Sequence, residues 1–317
     1  MTQHASDSGK QLIHSLWMLF AAFVFAIMSM CVKLAASLYS TSEIVMYRGA
    51  IGMVILSILV LHQGGSLRTT MPNQHLWRGV VGVTALWLWF YSISLLPLAT
   101  ANTLNYMAPI WIAAILFVGG WWHAKKHLEW PLVAAIGMSF VGVTLLLQPV
   151  FHARLWSGAI MGLVSGVLSA LAYLQVRRLG QLGEPEYRVV FYFSVVTLVA
   201  GLLGTSLGGA FSAGTAWHSH TPYGIALLLA IGLSAAVAQM AMTRAYRLGK
   251  TLVVANLQYT GIVFSSMWGM LVWGDNFDWH GWLGMGVILF SGIAATFYNN
   301  RNVGPAATRT DPIASET

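Results

Sequence analysis

The chain predicts an all-α integral membrane protein of ten transmembrane helices arranged as two inverted five-helix repeats. Three observations carry that prediction. Ten apolar segments, nearly all about twenty residues long, match the roughly 30 Å of hydrocarbon that a helix must cross. Basic residues gather in alternate connections, as the positive-inside rule describes. A short motif in the fourth span returns in the ninth, in the second set of five.

The spans fall near residues 13–35, 42–62, 76–96, 99–120, 128–148, 156–177, 187–207, 222–243, 251–273 and 279–298. The first follows the polar stretch MTQHASDSGK, which lacks a signal-peptide cleavage pattern, so this helix is expected to stay in the mature protein. It holds the lone cysteine, Cys31, which excludes an intramolecular disulfide, and it ends at Lys33. The second carries Arg48 inside it. For Lys33 the expectation is snorkelling to the outer surface, with Glu43 as the nearest carboxylate. For Arg48 it is a structural ion pair or hydrogen bonds to neighbouring helix ends, because intramembrane charge is costly.

The third span holds Trp87 and Tyr91, four apart and so on one helical face, suited either to stacking on a substrate or to the membrane interface. In the fourth, Asn102, Asn105 and Tyr106 precede Pro109, which removes a backbone donor and predicts a kink. Polar groups beside such a defect suit a cavity wall, with interhelical hydrogen bonding as the alternative. The fifth and tenth spans open at Trp130 and Trp279. Gly158, Gly162 and Gly166 allow close packing of the sixth, which also carries Tyr173 and Gln175 near its cytoplasmic end. The seventh follows Glu184 and Glu186, and the eighth contains Gln239 among alanines, deep enough to face a cavity. The ninth holds Asn256, Gln258 and Tyr259, with Gly261 expected to loosen the helix as Pro109 kinks its counterpart.

Charge sets the orientation. With the N-terminus inside, Lys10, Arg68, Arg78, Lys125, Lys126, Arg177, Arg178, Arg188, Arg244, Arg247, Lys250, Arg301 and Arg309 all lie on the cytoplasmic side, and Arg154 alone lies outside. The composition is 57% hydrophobic and 8% charged, against about a quarter charged in soluble proteins, and mean hydropathy is +0.69. The formal charge of +7 does not imply nucleic acid, since the basic residues form no clustered face.

LNY at Leu104, Asn105 and Tyr106 is echoed by LQY at Leu257, Gln258 and Tyr259. The connection after the fourth span has Lys125 and Lys126, whereas the one after the ninth has Asp275 and Asp278. Opposite charge in equivalent loops is what two upside-down halves would show. The halves are expected at 13–149 and 155–298, with cytoplasmic tails at 1–12 and 299–317. Inverted repeats are typical of secondary transporters, whose sites lie at the repeat interface. No GxxxxGK[ST] loop is present to bind ATP, and no nucleophile–base set or metal triad stands within the spans, so an enzyme is not expected. His218 and His220 lack a third ligand, and the loop that carries them is expected to rest on the membrane surface.

The lysine in MSMCVKLAA, the arginine in VMYRGA and the segment NTLNYMAPIWIAAI resemble the EamA type of the drug/metabolite transporter superfamily over residues 14–298. The resemblance implies a central cavity lined by the first, third, fourth, sixth, eighth and ninth helices. The expected function is secondary active or exchange transport of a small organic metabolite across the cytoplasmic membrane by alternating access. An exporter of amino acids or related metabolites leads. An importer of a vitamin or nucleoside-like solute comes next, and a channel or structural membrane protein last. Expected partners are a small-molecule substrate and the lipid bilayer, with no nucleic acid, a homodimer left open, and no cofactor.

Overall fold

Apolar side chains on the outside and polar ones within give the bundle a distribution opposite to that of a water-soluble domain. Leu61, Leu271, Phe290 and Leu233 are exposed, whereas Asn102, Asn105, Gln258, Arg48 and Arg78 are buried. That is the arrangement hydrocarbon demands. The computed structural model describes residues 2–124, 155–211, 217–249, 257–276 and 278–302, with isolated positions 134, 137, 138, 141, 142, 145, 254 and 255. The expected fifth span, the hinge between halves, Asn256, and the basic residues Lys125, Lys126, Arg154, Lys250 and Arg309 lie outside them.

The described helices are α1 (Thr2–Ala35), α2 (Thr41–His62), α3 (Pro72–Leu95), α4 (Leu98–Asn105), α5 (Ala108–Ala124), α6 (Trp156–Gln181), α7 (Glu186–Phe211), α8 (Pro222–Leu248), α9 (Thr260–Trp273) and α10 (Trp279–Asn302). Six segments, in α1, α2, α3, α6, α7 and α8, are long and apolar enough to cross a membrane. The chain is thus a multi-pass membrane protein. No strand occurs among the described residues.

The helix starts follow local chemistry. Ser40 and Glu43 form a capping box at α2, with Ser40 N donating to Glu43 Oε2 at 2.8 Å and Glu43 N to Ser40 Oγ at 3.3 Å. Pro72 and Pro222 open α3 and α8, where a missing N–H does no harm. Thr221 caps α8 through Gly224 N at 3.0 Å.

The predicted fourth span is two helices, not one. Its chain turns at Tyr106 and Met107, just before Pro109. Pro109 cannot donate to the Asn105 carbonyl, and Met107 N and Ile110 N bond three residues back instead. The ninth span turns likewise at Gln258 and Tyr259, where Gln258 N, Gly261 N and Ile262 N also reach back three residues.

The most extensive pairings are α2 with α7, α1 with α8 and α3 with α6, while α9 lies against α1 and α4. Glycines make the first of these close and bring α6 against α4 as well. A Cβ at Gly49 would stand 2.4 Å from Leu198 N, and one at Gly201 2.4 Å from Met46 N, so α2 and α7 touch backbone to backbone. At Gly166 a Cβ would meet the Leu104 carbonyl at 2.8 Å, which seats α6 against the break between α4 and α5.

Candidate functional site

One face of α3 repeats at helical spacing: Arg78, Gly82, Ala85, Leu86 and Trp89. These residues line a central cavity with Phe25 of α1, Tyr106 at the break, Ser169, Ala172 and Tyr173 of α6, Phe193 of α7 and Gln239 of α8. The cavity volume is about 30 Å³, room for about one water. A larger void of about 310 Å³, lined by Trp17, Phe20, Leu59, Val237 and Arg244 among others, includes exposed side chains and lies apart from these polar groups.

Aromatic rings build much of the wall. The Trp89 ring is 6.5 Å from Phe25 and 6.4 Å from Tyr106, centroid to centroid. Tyr173 stacks on Tyr246 at 5.5 Å. A Cβ at Gly261 would stand 2.5 Å from the Tyr106 ring, so this glycine makes room for the ring to sit against α9.

Behind the wall lies a hydrogen-bonded amide cluster, in which Gln258 Oε1 is buried with no partner among the described residues. Trp89 Nε1 donates to Asn102 Oδ1 at 2.8 Å, and Asn102 Nδ2 donates to Ser29 Oγ at 2.9 Å and Ser265 Oγ at 2.8 Å. One side chain thereby ties α3, α4, α1 and α9. Asn105 Nδ2 donates to Ser165 Oγ at 2.9 Å and Ser169 Oγ at 3.1 Å on α6. Gln258 Nε2 donates to the Tyr173 hydroxyl at 3.1 Å, which links the break before α9 to the cavity.

Of the residues singled out by sequence, Tyr106 and Gln239 line the cavity directly, while Asn102, Asn105 and Gln258 bond to its wall. Tyr259 is buried among the core aromatics. Trp87 and Tyr91 do not reach the cavity: Trp87 packs at Gly204 of α7 and Tyr91 is 43% exposed.

The charges differ most from expectation. Lys33 donates to the Leu96 carbonyl and sits 5.4 Å above the Trp273 ring, so it is tied in rather than free to snorkel. Arg48 forms no ion pair among the described residues. It packs on Phe193 at 5.2 Å, and Arg78 packs on the same ring at 4.1 Å. Arg78 is 3% exposed, so it belongs to the bundle interior and not to a cytoplasmic connection. Sequence reasoning assigned no site role to Arg78, Trp89, Phe193 or Phe25, although the α3 stripe of one arginine, two small residues and a tryptophan was a readable signal.

Glu43, the expected partner of a basic residue in the spans, is taken by the loop before α8. His218 N donates to its Oε1 at 2.8 Å and His218 Nδ1 lies 2.6 Å from its Oε2. His220 packs on Tyr39 and Tyr47. The loop thus docks on the start of α2. Between α6 and α7, Glu184 accepts from Thr69 Oγ1 at 2.6 Å and Arg188 Nη1 at 2.8 Å. Burial alone would raise its carboxyl, but these bonds and the Arg188 charge outweigh it and hold it below its ordinary range. Burial pushes Asp275 upward, opposed by the Lys33 charge.

A helical bundle with apolar spans and an aromatic cavity at its centre defines the class of multi-pass membrane proteins. Comparison with known proteins gives the family. The model of the EamA-like transporter family matches residues 12–148. The pseudopaline exporter CntI of Pseudomonas aeruginosa strain UCBPP-PA14 is 32% identical over 258 residues, 80% of this chain and 86% of that protein. The chain therefore belongs to the EamA-like transporter family. An S-adenosylmethionine uptake transporter of Rickettsia conorii is 22% identical over 226 residues, covering 70% of this chain and 71% of the other. A protein of known crystal structure superposes with a TM-score of 0.64 at 16% identity, covering 90% of this chain and 98% of that one, which shows a shared fold.

Proposed function

We propose that this chain is a secondary active or exchange transporter of a small organic metabolite across the cytoplasmic membrane, working by alternating access of two inverted five-helix halves, residues 13–149 and 155–298. The observation that carries the reading is the central cavity, to which α1 and α3 of the first half and α6, α7 and α8 of the second all contribute side chains. Binding between halves is the usual arrangement in carriers built from inverted repeats.

The pairing pattern supports the two halves. If α1, α2 and α3 correspond to α6, α7 and α8, the pair α1–α8 has its image in α6–α3, and α2–α7 is its own image; these are the most extensive pairings of the bundle. The paired breaks at Tyr106 and at Gln258 add to this.

The proposed substrate site has Tyr106 and Gln239 in its wall, with Asn102, Asn105, Gln258 and Tyr259 behind them holding the wall in place. Because the cavity has room for about one water, the halves must part before a metabolite enters. Export of an amino acid or related metabolite is the leading version, supported by the similarity to an exporter. The similarity to an uptake transporter supports import of a vitamin or nucleoside-like solute as the second reading.

Counterflow in proteoliposomes loaded with pooled metabolites tests the proposal. A labelled solute accumulating against its twin supports a carrier. Flux without counterflow points to a channel, and no flux from folded protein removes the transport reading.

A further inference from the structure

Resting on that carrier reading, we propose that the substrate is an organic anion whose carboxylate is bound by Arg78, with Arg48, packed on the same Phe193 ring, supplying a second positive charge. Both guanidinium groups are 3% exposed. Arg48 Nε and Nη2 and Arg78 Nε and Nη1 are buried with no hydrogen-bond partner among the described residues. Arg78 lines the cavity, so its free donors stand where a ligand would sit.

No described acid forms an ion pair with either arginine. Of the protein's nine Asp and Glu residues, Glu43 is held by His218 and Ser40, and Glu184 by Thr69 and Arg188. Glu186 pairs with Arg247 at 2.8 Å, Asp278 with His280 at 3.2 Å, and Asp275 faces the Lys33 charge. The remaining four, at positions 7, 129, 311 and 316, lie where side chains are not described. Two buried cations sharing one aromatic ring are costly unless something negative arrives. A guanidinium fork matches a carboxylate in geometry, and its donors go unmet without one.

The rest of the wall selects an organic body over a bare inorganic ion. Trp89, Tyr106 and Phe25 contribute aromatic surface, and Gln239 adds an amide able to orient a second polar group. Chloride and phosphate would satisfy the charge and leave these surfaces unused.

The test is counterflow with the full chain in proteoliposomes, using three size-matched pools: labelled mono-, di- and tricarboxylates, neutral metabolites, and cationic metabolites. Exchange confined to the carboxylate pool is expected, falling at least 100-fold in Arg78→Gln and partly restored in Arg78→Lys. Citrate and glutamate are also assayed for a rise in the melting temperature of the detergent-solubilised protein, with chloride and phosphate as controls. The rise is expected with a carboxylate, in wild type and not in Arg78→Gln, whose own melting curve reports whether it folds. Exchange only of neutral or cationic solutes, exchange unchanged in a folded Arg78→Gln variant, or stabilisation by chloride and phosphate alone would overturn the anion inference and leave the carrier reading intact. No exchange in any pool by folded wild type overturns the carrier reading itself.

Discussion

Two buried polar clusters share the middle of this bundle and meet at Trp89. On one side of that residue, the indole N–H and the Asn102 amide make three hydrogen bonds that join α1, α3, α4 and α9. On the other, the same indole ring faces a cavity where Arg78 keeps two buried nitrogens without a partner. Folding accounts for the first cluster, because every bond it makes offsets a buried polar group. It does not account for the second, which is worse off for being buried. Unmet polarity is therefore the better pointer to a ligand than polarity alone.

The comparison can be broken by measuring stability in detergent. The largest loss is expected for Asn102→Ala, which orphans the Trp89 indole N–H and takes a donor from Ser29 and Ser265; three bonds of about 1 kcal/mol each put the cost near 3 kcal/mol. A loss under about 1 kcal/mol in chemical denaturation would deny that this cluster holds the bundle. Next comes Gly166→Ala, whose methyl group would press on the Leu104 carbonyl and cost about 2 kcal/mol in the same assay.

Glu184→Gln should cost about 1 kcal/mol at neutral pH, since a satisfied charge is replaced by a weaker acceptor. The sign of its pH dependence follows from the lowered carboxyl. Its stabilisation is present above the unfolded value of 4.5 and is lost as pH falls through the lower folded value. The gap between wild type and variant should thus close in acid, and a gap that widens there contradicts the assignment. The smallest effect is expected for Arg48→Met: within about 1 kcal/mol of wild type, or more stable, because a buried charge without a partner is removed and the stem volume kept. If Arg48→Met lost as much as Asn102→Ala, the contrast between the clusters would fail.

The multi-pass membrane character was legible because hydrophobic length is a direct consequence of a bilayer. The break in the fourth span was announced by Pro109, yet nothing in the sequence showed that the turn at Tyr106 and Met107 would seat against Gly166 of α6. Arg78 was read as a cytoplasmic charge because the third span was expected to start at residue 76. The helix begins at Pro72, which places Arg78 well inside it. The tryptophans show the same limit. Spacing put Trp87 and Tyr91 on one face of α3 but gave no means to say which face turns inward. Trp89, two residues away, is the ring that meets the cavity.

The glycine contact between α2 and α7 carries a consequence for insulation. With the backbone of Gly49 against Leu198 and that of Gly201 against Met46, there is no width left for a file of water between these helices. Protons need such a file to slip across a membrane protein. While this seam stays closed, that flank offers no path for proton leakage.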